Sequence, residues 1–579
     1  MKQILFLCFI LLSSFSLFAQ EKGTAFEMNK QLGKGINIGN TFEAPTENAW
    51  GNPWNPSYFK MIADLGFSHV RLPIRWDTSE RATTEPPYTI SEDFLERIKG
   101  VVDEALKNKL HIIINMHHHE SLFKDPAGQK ARFLSQWQQI ADYFKTYPDS
   151  LLFEILNEPQ EGLADAGLWN QFAAEAVSEI RKTNPNRYVL ICSSNWSGTS
   201  GLDLLELPND KNLILTVHYY SPFDFTHQGA DFANMGHITG VKWLDTETER
   251  EAVRQDFREV KLFAEKHNIP VHVGEFGSFN KADMDSRARW TTFLSRFFEE
   301  LGYSWAYWEF SSGFGIYNPA TEKYQQPLVN ALLHNPLPEP VPMETSVIYE
   351  SDFEKNGQDG WYFQTLSNAA GNMSNENNQL TIKVTKEGTD SWHLQLMKFN
   401  VPIEKDKQYR LTFTASASKE CTASSYVGRN DTPWDAYSDY YPFKLYNTNE
   451  SYSYVFTMKS SDDPQGRIVF DLGVIPAPAT ISFSNIKLEK IQVDYTSNTH
   501  VGKLDVYTYF DSNLNNLIFN NDGTYNKATI FSISGAIIST NILTQGINSI
   551  YSGNWRQGIY VIVLEGNGIR QAHKILKSR

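Results

Sequence analysis

Between about Gln31 and Leu333, short apolar runs alternate with longer amphipathic stretches, and this rhythm constrains the fold more than any other feature. Eight strand candidates stand out: Gly35–Ile38, His69–Leu72, His111–Met116, Leu151–Leu156, Tyr188–Ile191, Ile214–Tyr219, Pro270–Gly274 and Ser304–Glu309. Helical periodicity fills the intervals, as in Phe94–Asn108, Ala131–Tyr147, Leu168–Lys182, Thr246–His267 and Asp285–Leu301. A strand that returns through a helix must pair in parallel with its predecessor. Eight such units in about 300 residues predict an α/β fold, the closed (β/α)8 TIM barrel.

Chemistry in such a barrel gathers at the carboxyl ends of the strands. The run from Leu151 to Leu156 is apolar enough to be buried on both faces, and it gives way to Asn157, Glu158 and Pro159. Proline has no N–H for the ladder, so the strand is expected to stop here. Glu158 then loses hydration behind an apolar run, and its pKa is expected to rise towards that of a general acid. A solvated glutamate in an ordinary loop reads the same from this tripeptide alone. The run from Ile269 to Gly277 is a second buried strand ending on a glutamate, Glu275, 117 positions further on. Hydrolysis of a glycosidic bond needs two carboxyls facing one bond, roughly 5–5.5 Å apart in retaining enzymes, and strand ends of one barrel can supply that geometry.

The other strand ends carry residues suited to sugar chemistry. Arg71 closes the second strand, and its guanidinium fork can hold a carboxylate ionised. The third ends in His117, His118, His119 and Glu120, but adjacent strand residues point to opposite faces and no His-Glu-x-x-His helix follows. No metal or other cofactor is therefore expected, and His117 and His118 are read as hydrogen-bonding sugar hydroxyls. The sixth strand ends in His218, Tyr219 and Tyr220, with His218 and Tyr220 expected to face the site. A tyrosine hydroxyl there can orient a carboxylate and steady a 2-hydroxyl. After the eighth, the Trp308 indole can form a floor under a sugar ring. Core packing would explain any one of these aromatics; their shared position at strand ends favours a site.

Gly35 to Glu43, Gly66 to Arg71, His117-His118, Asn157-Glu158-Pro159, His218-Tyr219-Tyr220, Gly274 to Gly277 and Trp308 follow the order seen in family 5 glycoside hydrolases, which the barrel region resembles nearly end to end. The resemblance implies that Glu158 is the acid/base and Glu275 the nucleophile, with Asn157 beside them in the substrate site. The chain is especially similar to the bacterial endoglucanase branch that also tolerates mannan. In that branch the residues matching Asn40, Glu43, Trp196 and His227 contact substrate around the cleavage point. His119 departs from the branch, which commonly has tyrosine there. The implied activity is a secreted, retaining endo-β-1,4-glucanase acting on cellulose or related β-linked polysaccharides. A mannanase or xyloglucanase on the same scaffold is the alternative. A catalytically silent polysaccharide-binding surface protein is the rival from another class, which a missing carboxylate would have favoured.

At 579 residues the chain is too long for one core. Lys2, the apolar run Ile4 to Leu12 and the small residues leading to Gln20 read as a signal peptide over 1–20. The barrel domain then covers 21–334. From Asn335 to Met343 there are four prolines in nine residues, a stiff extended linker assigned to 335–345. Residues 346–491 alternate as strands (Leu380–Val384, Tyr409–Phe413, Tyr454–Met458, Arg467–Phe470), predicting a β-sandwich. Its Trp392, Trp434 and Tyr440 are candidate ligand contacts. The stretch Ile481 to Leu488 is similar to carbohydrate-binding modules of the family 4 and 9 type, with a purely structural sandwich as alternative. Residues 492–579 read as a small all-β domain. Ala528 to Gly535, Gly558 to Val563 and the basic end His573 to Lys577 resemble the C-terminal sorting domain of type IX secretion. That implies engagement of the secretion machinery of a gram-negative host and a secreted or cell-surface location; a third binding module is the alternative.

Composition narrows the partners. Net charge is −15 with no basic stripe outside the last few residues, which argues against nucleic acid. The 13% aromatic share suits platforms for sugar rings. Cys8 leaves with the signal, and Cys192 and Cys421 fall in different domains, so no disulfide is expected. A monomer is expected.

Overall fold

The computed structural model describes residues 24–493 and, in the last block, segments between 508 and 577. The signal peptide read over residues 1–20 lies outside the described residues. Eight parallel strands close into a barrel in sequence order: β1 Lys34–Asn37, β2 His69–Leu72, β3 His111–Asn115, β4 Leu151–Glu154, β5 Val189–Ile191, β6 Leu213–Tyr219, β7 Val271–Phe276 and β8 Ser304–Tyr307, with β8 pairing back onto β1. The helices between them bury stripes at three- and four-residue spacing. Glu92–Lys107 buries Leu95, Ile98, Val101, Val102 and Ala105, with acidic residues in its first turn and Lys107 in its last, which suits the helix dipole. Pro126–Tyr143 and Ala166–Thr183 start on Asp125 and Asp165, whose side chains accept from the N–H groups of Gly128 and Leu168. Among the described residues no helix is long and apolar enough to cross a membrane.

Two strand ends differ from the sequence reading. β4 stops at Glu154 rather than at Leu156, because the backbone leaves the ladder before Pro159 and Glu158 turns left-handed, with φ at +46°. β7 runs on to Phe276, so Glu275 lies inside the strand and not beyond it, because Phe276 still pairs with both Tyr219 and Tyr307. Val217 pairs with Val273 and His218 with Glu275, which leaves Gly274 as the extra residue of a β-bulge. Only glycine fits, since a Cβ there would lie 2.7 Å from Thr216 Oγ1. The bulge shifts the alternation by one, and Glu275 turns inward beside His218.

The sandwich is two antiparallel sheets. One has the order Ala370–Glu376, Gln379–Lys386, Ala479–Val493, Gln408–Ala417, Glu450–Thr457, with Met343–Glu350 pairing onto Ala479–Val493. The other has the order Trp361–Thr365, Leu394–Ile403, Asp463–Asp471, Cys421–Gly428, Tyr441–Leu445. The first strand thus begins at Met343, inside the stretch read as linker, once the prolines have passed. Leu380, Ile382, Leu411, Phe413, Ile481 and Phe483 of one sheet meet Leu396, Ile468 and Phe470 of the other in the core. In the last block, Lys527–Ser532, Ile537–Ile542, Gly558–Gly566 and Ile569–Lys577 form one antiparallel sheet around Ala528, Ile530, Ile562 and Leu564. Cys192 and Cys421 are both free and buried.

Candidate active site

Arg71 is the hub at the carboxyl end of the barrel. Fully buried on β2, it donates Nε and Nη2 to the two oxygens of Glu154 at 2.6 and 2.7 Å, and Nη1 to Glu275 Oε1 at 2.6 Å. Its remaining N–H bonds go to Asn37 Oδ1 at 2.9 Å and Asn157 Oδ1 at 2.8 Å. All five donors of the guanidinium are therefore used, which a charge taken out of water requires.

Glu275 also accepts from the Tyr220 hydroxyl, at 2.9 Å on Oε2. Burial raises its carboxyl above the usual range, while His218, Arg71 and the Tyr220 bond pull it back down. Glu158 faces it from the end of β4. Its Oε1 lies 2.7 Å from His218 Nδ1, and its N–H donates to Ser197 Oγ at 3.2 Å. Burial pushes the Glu158 carboxyl up to about 7, Glu154 adding to the rise and Arg71 and Asn157 opposing it. Burial also lowers His218 to about 4, so the imidazole is neutral near pH 7. The two glutamates thus have a common neighbourhood but different handles. Glu275 holds a guanidinium and a phenol; Glu158 holds a neutral imidazole.

One oxygen each of Glu158 and Glu275 and a ring nitrogen of His218 all lie within 4.8 Å of one another. Among the described residues this is the only group of such donors converging closely enough to hold a cation. Arg71 already supplies a fixed positive charge to that pocket. The histidine run after β3 does not converge. His117 is buried, with Nδ1 accepting from Asn115 at 3.1 Å, and its ring stacks on the Trp308 indole at 5.7 Å and 12°. His118 meets His117 edge-on at 4.7 Å and Trp50 at 5.9 Å. His119, fully buried, points elsewhere: its Nδ1 accepts from Leu122 N–H and caps the helix Glu120–Lys124. The residue at this departure from the family pattern therefore has a helix cap as its work.

The remaining expected residues surround this centre. Trp308 packs so close to the turn after β1 that a Cβ on Gly39 would come within 2.8 Å of its ring. Asn40 takes φ +60°, and its N–H and that of Thr41 donate to the Glu43 carboxylate. Glu43 is buried and devotes both oxygens to that turn; burial pushes it up to about 8. His227 stacks on Phe223 at 4.0 Å and meets Tyr220 edge-on at 5.0 Å. Trp196 is 54% exposed at φ +53°, with its N–H on Pro159 O. Glu154, Asn37 and Ser197 were missed by the sequence reading. Glu154 did leave a signal, a lone carboxylate inside an apolar strand, which demands a buried counter-charge.

On the sandwich, the outer face of the second sheet lines up Tyr362, Met397, Val469 and Tyr426 across four strands. Tyr440 packs on Tyr426 at 4.7 Å, the Arg467 guanidinium lies 4.8 Å from the Trp434 ring, and Arg467 donates to Tyr426 OH at 2.9 Å. Trp434 and Tyr440 therefore share one patch, each half exposed. Trp392, also half exposed, sits on the turn Ser391–His393 with its ring edge-on to His393.

Residues 29–313 match the family model described as cellulase (glycosyl hydrolase family 5), and residues 345–480 match one described as a carbohydrate binding domain. Endoglucanase H of Acetivibrio thermocellus is 36% identical over 318 residues, 53% of this chain and 33% of that protein, so the chain spans about a third of that relative's length. A solved hyperthermophilic endo-β-1,4-glucanase in complex with substrate superposes with TM-score 0.52 at 47% identity, over 54% of this chain and 99% of its own. Thermotoga maritima Cel5A in complex with mannotriose gives TM-score 0.52 at 43% identity, over 53% and 99%. With its closed barrel, its two facing glutamates and this coverage, the chain belongs to glycoside hydrolase family 5, the cellulases.

Proposed function

We propose that the chain is a secreted, retaining endo-β-1,4-glucanase. The observation that carries the mechanism is the approach of Glu158 and Glu275 to within 4.8 Å. So close an approach of two carboxylate oxygens supports direct attack by a carboxylate, as in retaining enzymes with carboxyls roughly 5–5.5 Å apart, over the roughly 6.5–9.5 Å of inverting ones. Glu275, held by Arg71 and Tyr220, attacks the anomeric carbon and forms the glycosyl ester. Glu158 gives its proton to the departing glycosidic oxygen. Glu158 then takes a proton from the water that attacks the same carbon, and Glu275 leaves as carboxylate. The Trp308 indole, stacked on His117, provides the floor for the sugar being cleaved, and Asn40, Glu43, Trp196, His118 and His227 shape the walls around it. The NMR spectrum of the first products should show retained anomeric configuration; inversion would sink the double displacement.

Mannan is the second substrate to carry, because the Thermotoga maritima relative is described in complex with mannotriose. Purified cellulose, mixed-linkage glucan, xyloglucan and mannan assayed side by side rank them. The sandwich patch of Trp434, Tyr440, Tyr426 and Tyr362 is proposed to hold the polysaccharide, in keeping with its match to a carbohydrate binding domain. Export is proposed from the signal-like residues 1–20 and the sorting-domain resemblance of 492–579. Deleting 504–579 should leave activity in the periplasm, and unchanged surface or extracellular activity would refute that part.

A further inference from the structure

Three barrel strands meet at one small side chain. The turn after β5 puts two consecutive non-glycine residues, Trp196 and Ser197, in the left-handed region at φ +53° and +54°. L side chains rarely adopt that conformation, and its recurrence at sites marks backbone held in place by its surroundings. Ser197 is fully buried. Its Oγ accepts the N–H of Glu158 at 3.2 Å, and its carbonyl accepts the N–H of His218 at 2.7 Å. His218 Nδ1 in turn lies 2.7 Å from Glu158 Oε1. The three residues close a ring of hydrogen bonds: Glu158 N–H to the Ser197 hydroxyl, Ser197 carbonyl to His218 N–H, and imidazole to Glu158 carboxyl. The Cys192 thiol donates to Leu156 O at 3.5 Å, on the segment that leads to Glu158.

Glu158 itself has φ +46° and lies four residues beyond the last ladder pair of β4, with Asn157 N–H on Met116 O before it and Trp196 N–H on Pro159 O after it. The bond at Glu158's own N–H comes from the side chain of the neighbouring turn, the Ser197 hydroxyl. We propose that Ser197 is a positioning residue for the acid/base, setting the height and tilt of the Glu158 carboxyl against the leaving oxygen and holding His218 in register with it. This rests on the reading of Glu158 as the acid/base. Ser197 does not touch substrate; it acts by fixing the backbone from which the proton donor projects. Glu275, by contrast, is hydrogen-bonded by Arg71 and Tyr220, and meets the Ser197 ring only through His218, whose Nδ1 lies 3.8 Å from Glu275 Oε2. Loss of the hydroxyl should therefore damage proton donation and leave nucleophilic attack largely intact.

That asymmetry has a kinetic signature. A substrate whose leaving group departs as a stable anion needs little help from the acid, whereas a poor leaving group needs all of it. The experiment measures kcat/KM for the wild type, Ser197→Ala, Ser197→Gly and Glu158→Gln on aryl β-cellobiosides graded from 2,4-dinitrophenyl to unsubstituted phenyl. Glu158→Gln should lose activity steeply as leaving-group pKa rises. Ser197→Ala should show the same trend, about 10-fold loss on the phenyl glycoside against about 2-fold on the dinitrophenyl one, since misplacing a group by about 1 Å costs up to about 100-fold. Ser197→Gly accepts φ +54° without strain, keeps the carbonyl and lacks the hydroxyl, so it should match the alanine variant and carries the test if alanine fails to fold. A loss equal on all leaving groups, or full activity in Ser197→Gly, overturns the positioning role. A flat Glu158→Gln series would instead remove the acid/base reading itself, and with it the premise of the proposal.

Discussion

Replacing Arg71 by lysine keeps a buried positive charge but removes its planar fork, and the hydrogen-bond count gives the size of the effect. The guanidinium makes five bonds, two to Glu154 and one each to Glu275, Asn37 and Asn157. An ammonium has three donors on one point and cannot span that arc, so at least two acceptors lose their partner. At about 1.5–3 kcal/mol for each bond to a charged group, the variant should lose about 3–6 kcal/mol of barrel stability. That is on the order of 10 °C in melting temperature for a domain of this size. The catalytic consequence follows from Glu275. Arg71 is one of the groups holding its carboxyl down against burial, so a weaker contact lets it rise. The nucleophile must be ionised, so the acid limb of kcat/KM should move to higher pH. Thermal melts together with pH profiles on a soluble β-glucan, taken well below the melting point, measure both. A lowered melting temperature with an unmoved acid limb would refute the electrostatic link from Arg71 to Glu275; an unmoved melting temperature would refute the bond count.

The alkaline side of the same profile belongs to Glu158. Glycosylation needs its carboxyl protonated and burial holds it at about 7, so kcat/KM should fall as pH rises through about 7, and Glu158→Gln should abolish that limb while His218, lowered to about 4, stays neutral throughout. A limb that persists in Glu158→Gln would assign it to another group. In the sandwich, Trp434→Ala removes the ring lying over Arg467, and binding to insoluble polysaccharide should weaken while kcat/KM on short soluble oligosaccharides stays within about 2-fold, the tethered module acting only through effective concentration. Equal binding by the variant in a pull-down would count against the patch.

Why the barrel was legible and parts of its site were not comes down to which interactions leave a local trace. The run Leu151–Leu156 that carries β4 has five apolar residues around Glu154, and β3 carries Ile112, Ile113 and Ile114 in succession; strands buried on both faces must look like this, so all eight could be read and only their ends moved. The two carboxylates were visible because each stands where such a run ends. The end of β7 was misjudged because a bulge is a two-strand property: Gly274 looks like an ordinary strand glycine until its partner Val217–His218 is known. Ser197 left no trace at all. A serine in a polar turn is the commonest of residues, and its role comes from lying beside Glu158 and His218, at sequence distances of 39 and 21 that only closure of the barrel brings to contact. His119 shows the converse. It stands in a run of three histidines that invites a ligand role, yet the chain turns into a helix at once, and the helix needs a cap more than the pocket needs a third imidazole. Residues that do chemistry by contact with a ligand are thus betrayed by their own unsuitability for a core, while those that hold them in place are well suited to where they sit, and only the folded chain distinguishes them.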